Sequence, residues 1–336
     1  MDLSRVFPTG FAPITSGFPS STAVSITTMN TGEIPTRHGI ISWILYSENS
    51  NEIINALEDN ADKKNRKLSQ DILHTKATVY GNFKKSGIHP YTLIDRQIDK
   101  TDYNQLFRSK RTGIHHVKDS DFAIKLRKML EGEKGKSYFY AYLNGIDTIT
   151  HAHGPHTEES EAEILLISNA LESGFLSRIS KKTASETLLI ITADHGHTRI
   201  DPKKTVYLNA FKKLNNYYKS DRTGRPILPI GGPRYVFLHI KPEKLEDAYE
   251  FLSEKLSKIA KVIILTDSVI RDLFGNERQN KKFKSRIGNL LILPYQGRSV
   301  WYQHKKHKES NIGVHGGLSR EEMLIPFVAV RLSEIL

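Results

Sequence analysis

Four short clusters hold the side chains able to do chemistry. The run Asp147-Thr148-Ile149-Thr150-His151 continues into Ala152-His153-Gly154-Pro155. An acid and an imidazole four residues apart can meet on one metal ion if the chain folds back between them, and an oxygen-plus-nitrogen donor set suits zinc. Ala193-Asp194-His195-Gly196-His197 follows an apolar run, and its Gly permits a sharp turn that lets Asp194 and His195 bend inward together. Gly313-Val314-His315-Gly316-Gly317, continuing Leu318-Ser319-Arg320-Glu321-Glu322-Met323, precedes the terminal apolar stretch. Phe18-Pro19-Ser20-Ser21-Thr22 is a hydroxyl-rich turn at the start of a helical pattern, where unpaired N–H groups attract anions. The chain has no Cys, so thiolate nucleophiles, disulfides and Cys-ligated zinc are excluded, and any metal must sit among His and carboxylates.

Each cluster also has a plain structural explanation. Thr22, Ser20 or Ser21 can cap a helix, Asp147 and Asp194 can be turn residues, and His153, His156, His197, His304 and His307 can be ordinary surface histidines. The co-occurrence of a hydroxyl at an anion-binding helix terminus with two Asp and three His at predicted strand ends favours a single site.

The elements that must position these residues alternate. Thr22 to Thr31 reads as a short helix with Gly32 just past its end. Ser137 to Asp147 and Glu186 to Asp194 read as strands ending in an acid, with a helix from Glu158 to about Leu176 between them. That alternation predicts an α/β fold with a mostly parallel central sheet and helices on both faces, whose chemistry gathers at the carboxyl ends of the strands. From Arg234 the pattern repeats on a smaller scale through RYVFLHI, a helix from Pro242, KVIILTD, SVIRDLFG and IGNLLILPY, which predicts an inserted α/β lobe over 201–310.

Composition bounds the function classes. The 336 residues carry 49 Lys+Arg against 37 Asp+Glu, a net +12, which favours an anionic partner over a cationic one. Mean hydropathy is −0.43, and no run approaches the ~20 apolar residues of a membrane span. Between Asn276 and Glu309 nine Lys/Arg face only Glu277 and Glu309, a solvated face or a contact surface for an acidic partner such as nucleic acid. No basic and apolar leader opens the chain, which reads as cytoplasmic.

In this order, FPSSTAVSITTMNTGEIPTRHGI, then D-x-x-x-H-x-H-G-P, ADHG and HGGLSREEM, the residues resemble the alkaline phosphatase superfamily, specifically its type I phosphodiesterase/nucleotide pyrophosphatase branch. The resemblance runs from about Pro13 to Val330, and the inserted segment ending in Phe274-Gly275 and Arg286-Ile287-Gly288 also fits. It implies an alkaline-phosphatase-like hydrolase core over 1–200 and 311–336. It also implies two divalent metal ions, usually zinc, and a small anionic phosphate ester, nucleotides included, as substrate. Thr22 falls at the family's nucleophile and would contact a metal. Asp147, His151 and His315 match the ligands of one ion, and Asp194 and His195 those of the other. The implied reaction is hydrolysis of a phosphodiester or pyrophosphate bond through a threonine-bound intermediate. Asn289 stands where the family often has Asp.

The family's second metal takes a further Asp from a first sheet strand upstream of the nucleophile. Only 21 residues precede Thr22, and their sole acid is Asp2, so the expectation is that this strand precedes the chain as given. The alternatives are a phosphomonoesterase of the same superfamily and a non-catalytic relative that binds anions or nucleic acid at an incomplete metal site. A sulfatase is disfavoured because its formylglycine motif is absent.

Overall fold

The computed structural model of the chain describes residues 10–57, 73, 78–304 and 309–336. It divides into two compact units, one of Met1–Thr15, Ala77–Ala193 and Leu324–Leu336, the other of Ser16–Lys76 and Asp194–Met323. No helix among the described residues is long and apolar enough to cross a membrane.

In the first unit, strands Thr112–His116, His89–Asp95 and Ser137–Ala141 form a parallel sheet with His89–Asp95 at its centre. Phe122, Ala123 and Leu126 of helix Asp119–Gly132 and Phe175, just past the end of helix Glu158–Gly174, form one apolar cluster with Leu93. Glu158–Gly174 begins on a reciprocal Thr157/Ser160 cap, with Glu158, Glu159 and Glu161 in its first turn where the helix dipole favours acids.

Two expectations change here. The strand expected to reach Asp147 stops at Ala141, and helix Gly145–His153 takes over, so Asp147 stands in a helix first turn rather than at a strand end. The strand read over Glu186 to Asp194 spans Leu188–Thr192 and is not buried on both faces, since Leu188 is 66% and Ile190 54% exposed. It pairs antiparallel with Leu324–Arg331, which pairs antiparallel with Phe11–Thr15. Parallel pairing among the described residues of this unit is therefore confined to three strands. Partner choice is a long-range property that a continuous apolar run does not encode.

The second unit is built on a four-stranded antiparallel sheet in the order Ile230–Gly232, Tyr235–Leu238, Leu290–Pro294, Ala260–Ile264. The two-residue period of a strand sorts its side chains into two cores. Tyr235, Phe237, Leu291 and Leu293 face Phe18, Ala23, Ile40, Phe274 and Phe283, whereas Val236, Leu238, Leu290 and Ile292 face Ala248, Leu252 and Leu256. The Phe274-Gly275 signature thus has a packing role. Phe274 meets Phe18 edge-on at 5.3 Å and Phe283 at 5.0 Å, forming an aromatic base under the Phe18–Thr22 turn.

Asn289 completes this sheet where a strand ends. Its carboxamide accepts from the Ile240 N–H and donates to the Ile240 carbonyl, both at 2.8 Å, extending the pairing of the neighbouring strands. A carboxylate could accept but not donate there. The basic run beyond it is not one uniform face. Arg286 is buried and donates to the Gly39 carbonyl at 2.6 Å, Lys282 donates to the Leu73 carbonyl at 2.9 Å, and Lys305, Lys306, His307 and Lys308 lie outside the described residues.

Helix Thr22–Thr31 forms as the sequence predicts and ends on Gly32, whose φ of 72° is the left-handed conformation that glycine adopts at low cost. Its inward hydroxyls bond back one turn, Thr27 to the Ala23 carbonyl and Thr31 to the Thr27 carbonyl, so β-branched polar residues sit buried without orphaned groups. Beyond it His38 is fully buried. Its Nδ1 accepts from the Ile40 N–H at 3.0 Å, which leaves Nε2 protonated to donate to Thr28 Oγ1 at 3.2 Å. Burial first, and the Arg286 charge second, hold its pKa down at about 3.

Asn289→Asp is expected to lower unfolding stability by about 1–3 kcal/mol, read by urea denaturation at neutral pH. His38 must be neutral to fold, so its contribution is present above about pH 6.5 and is lost as pH falls towards 3. A His38→Gln variant, able to accept and donate at the same two places, is expected to flatten the dependence of Tm on pH across that window.

Candidate active site

Of the six predicted site residues, Thr22, Asp194, His195 and His315 belong to the second unit, and Asp147 and His151 to the first. In the second unit, Thr22 is the first helical residue after Ser21, an extended residue at φ −136°, ψ 140°. Its Oγ1 lies 2.9 Å from His195 Nε2. The other ring nitrogen of His195 lies 3.0 Å from the Gly196 carbonyl, so Nδ1 carries the proton and Nε2 presents its lone pair to the threonine. Asp194 joins this pair, with Oδ2 3.4 Å from His195 Nε2 and Oδ1 accepting from the His195 N–H at 3.1 Å. The Asp194 carbonyl in turn accepts from Ser16 Oγ at 2.5 Å and Ser25 Oγ at 2.9 Å, tying the Asp194-His195 loop to the helix of Thr22.

His315 is set by the hydroxyl turn itself. Its Nδ1 donates to the Ser20 carbonyl at 2.9 Å, which puts the proton on Nδ1 and the lone pair on Nε2. Ser20 Oγ donates to the Gly317 carbonyl at 2.9 Å and accepts from the Gly316 N–H at 3.2 Å. Ser20 therefore latches the turn that carries Thr22 onto the loop that carries His315. Gly316 has no alternative here, because a Cβ would lie 2.2 Å from the Tyr235 ring and its φ is +119°. Tyr235 itself is fully buried and donates to Ser42 Oγ at 3.0 Å, and burial pushes its phenol up to about 12.

Beneath both loops is a buried ion pair. Arg234 Nε and Nη2 hold the two oxygens of Glu322 at 2.9 and 2.8 Å, with both residues at most 1% exposed. The remaining capacity of Glu322 is filled by the Gly317 N–H at 2.8 Å and the Ser319 N–H at 3.3 Å, and its carbonyl accepts from the Gly196 N–H at 2.9 Å. Arg234 Nη1 donates to the Tyr295 and Arg298 carbonyls. The EEM end of the His315 motif thus anchors the histidine loop rather than reacting.

One residue that sequence reasoning passed over belongs to this group. His197 was expected at the surface. It is half-buried, with ring centroids 5.2 Å from both His195 and His315, which stack on each other at 3.6 Å. Ligand atoms of His195, His197 and His315 lie within 4.8 Å of one another. The signal was available in the H-x-H spacing, since residues two apart in an extended strand share a face.

In the first unit, Asp147 and His151 lie one turn apart on helix Gly145–His153, Asp147 Oδ1 3.4 Å from His151 Nε2. The convergence expected from a folded-back turn is achieved by helical spacing. The start of this helix is crowded by two carboxyl groups: a Cβ on Gly145 would lie 2.3 Å from Glu163 Oε1 and 2.8 Å from Asp119 Oδ2. Burial and its hydrogen bond with Asp119 raise the Glu163 pKa. His153 pairs instead with Glu159 at 3.5 Å.

The donor set suits a borderline divalent ion such as zinc. Imidazole nitrogens whose opposite nitrogens donate to backbone carbonyls have the tautomer a metal ligand needs, and Thr22 and Asp194 add oxygen. The same group, with a hydroxyl at a helix N-terminus beside it, can hold an anion and present Thr22 Oγ1 to it.

The chain matches one protein family and several solved structures. The family described as type I phosphodiesterase/nucleotide pyrophosphatase matches residues 3–318. Among solved structures, phosphonoacetate hydrolase from Sinorhizobium meliloti 1021, bound to phosphonoformate, is similar at a TM-score of 0.68 and 14% identity, covering 99% of this chain and 87% of that one. Murine ectonucleotide pyrophosphatase/phosphodiesterase 5 is similar at a TM-score of 0.65 and 17% identity, covering 94% and 78%. The human form of the same protein gives 0.59, 17%, 94% and 78%. At these identities the likeness is one of fold. None of the curated proteins matches the chain.

Replacing Glu322 with Gln strips the charge from a pair in which Arg234 stays buried. It is expected to lower stability by about 3–5 kcal/mol, measured as a fall in Tm and in the denaturant midpoint.

Proposed function

The chain belongs to the type I phosphodiesterase/nucleotide pyrophosphatase family, and we propose that it hydrolyses a phosphodiester or pyrophosphate bond through a phosphorylated or nucleotidylated Thr22. Its class is that of a hydrolase acting on phosphoric ester bonds. The observation that carries the finer reading is the 2.9 Å approach of Thr22 Oγ1 to His195 Nε2 at the first turn of a helix.

Two divalent ions, zinc foremost, are the proposed cofactors, with Asp194, His195 and Thr22 offered to one and Asp147, His151 and His315 to the other. Bound there, such ions lower the pKa of a hydroxyl or water and offset the negative charge on phosphorus oxygens. The residues of the chain do the rest. Thr22 Oγ1 attacks phosphorus as the bond to the leaving oxygen breaks, and the leaving group departs with the electron pair of that bond. First-turn N–H groups of Thr22–Thr31 hold the equatorial oxygens. His195, held by the Gly196 carbonyl, keeps the Thr22 oxygen aimed. Water then attacks the same phosphorus, breaks its bond to Thr22 Oγ1 and restores the hydroxyl.

The small anionic substrate proposed here is a phosphate ester, nucleotides included. The proposed layout keeps the hydrolase core over 1–200 and 311–336 and the lobe over 201–310. Thr22→Ala is expected to remove turnover of bis-p-nitrophenyl phosphate by at least about a thousandfold while bound zinc, read by elemental analysis, stays near the wild-type amount. Retained turnover would remove Thr22 from the role of nucleophile, and turnover of p-nitrophenyl phosphate alone would favour the monoesterase reading.

A further inference from the structure

We propose that Glu163 and Asp119 are positioning residues for Asp147 and His151: together they seat the first turn of the helix Gly145–His153 that carries both. This rests on the reading of Asp147 and His151 as metal ligands, and every residue in it lies in the first unit.

Three helices contribute to the contact at Gly145. Gly145 opens Gly145–His153, Asp119 opens Asp119–Gly132, and Glu163 stands in the second turn of Glu158–Gly174. A Cβ on Gly145 would lie 2.3 Å from Glu163 Oε1 and 2.8 Å from Asp119 Oδ2, so both side chains press on the same spot of backbone. Gly145 is not among the glycines with positive φ, so space rather than backbone conformation is what requires a glycine there. Glu163 hydrogen-bonds to Asp119, which keeps two acids side by side where two bare carboxylates would repel.

The helix start lacks the usual support. Its N-cap residue, Asn144, makes no side-chain bond to the first turn, the position from which an oxygen normally meets those N–H groups. The Asn144 carbonyl accepts from the Thr148 N–H at 3.0 Å and Thr148 Oγ1 at 2.9 Å, which closes the turn from within. Against its outside stand the Glu163 and Asp119 oxygens, where the positive end of the helix dipole favours negative charge. Asp119 is also in the first turn of its own helix, so two helix N-termini stabilise it.

Asp147 follows two residues later in this same turn, and His151 lies one turn further on. Any slide or rotation of the helix at its start displaces both side chains together, whereas metal–ligand distances tolerate only about 0.2 Å. The acid pair thus acts on the ligands through the backbone of Gly145, without touching an ion.

The test is zinc binding by calorimetry to the metal-free full chain, with no substrate present, for wild type, Glu163→Ala, Glu163→Gln, Gly145→Ala and, as a control, Glu158→Ala, an exposed acid of the same helix. Glu163→Ala is expected to weaken one step of zinc binding about tenfold or more. Gly145→Ala, whose methyl group pushes the pair away, is expected to do the same. Glu163→Gln still donates to Asp119 and is expected to bind zinc as wild type does, as is Glu158→Ala. Gly145→Ala combined with Glu163→Ala is expected to be no weaker than Glu163→Ala alone, because the methyl group then has room. Wild-type affinity in Glu163→Ala, a Glu163→Gln as weak as Glu163→Ala, or simple additivity in the double variant would each overturn the positioning role. If wild type meanwhile binds zinc and turns over bis-p-nitrophenyl phosphate, the phosphodiesterase reading stands. A wild type that binds no zinc would overturn both the positioning role and the metal dependence it rests on.

Discussion

The buried pair of Arg234 and Glu322 is the constraint on which the site depends. Two charges removed from water are tolerated only when each of their donors and acceptors is met, and here the partners are the site loops themselves. Glu322 takes the N–H groups of Gly317 and Ser319 with its side chain and that of Gly196 with its carbonyl. Displacing the His315 loop would leave the buried carboxylate short of donors, and displacing the His195 loop would take the Gly196 N–H from the Glu322 carbonyl, so one residue ties both histidine loops to the ion pair.

Above that anchor, small hydroxyl side chains connect the parts. Ser16 and Ser25 hold the Asp194 carbonyl, and Ser20 holds the His315 loop at three points. A hydroxyl both donates and accepts, so one residue can join two backbone segments that carry no matching pair of their own. This explains why a Ser/Thr-rich stretch with little apolar content is buried: Ser20 and Ser21 are at most 1% exposed. The backbone carbonyls at Gly196 and Ser20 choose the histidine tautomers, and His195 Nε2 meets Thr22 Oγ1 at 2.9 Å.

Much of this was legible beforehand because it is local. Thr22–Thr31 and its Gly32 end, the helix starting at Glu158, and the strands of the 201–310 segment follow from period, capping and turn residues. The site clusters were legible because acid and imidazole types are scarce and were grouped. Less legible were features set by distant partners. The Leu188–Thr192 strand looked buried because its side chains are apolar, yet its only partner among the described strands is Leu324–Arg331 and three of its five residues are exposed. The stretch before Asp147 looked like strand throughout, although Gly145–His153 is helical with Asp147 in its first turn. Asn289, unexplained by sequence, proved to finish a sheet edge.

Sequence alone determined which residues are available for chemistry, the absence of thiols and the family, because these depend on residue type and short spacing. Tertiary structure decided which histidines meet. His197 and His315 are more than a hundred positions apart and become neighbours only through the register of a two-residue ribbon, and His195 stacks on His315 only because Ser20, Glu322 and Arg234 hold its loop. Register and burial are settled by contacts between distant segments, and no local pattern records them.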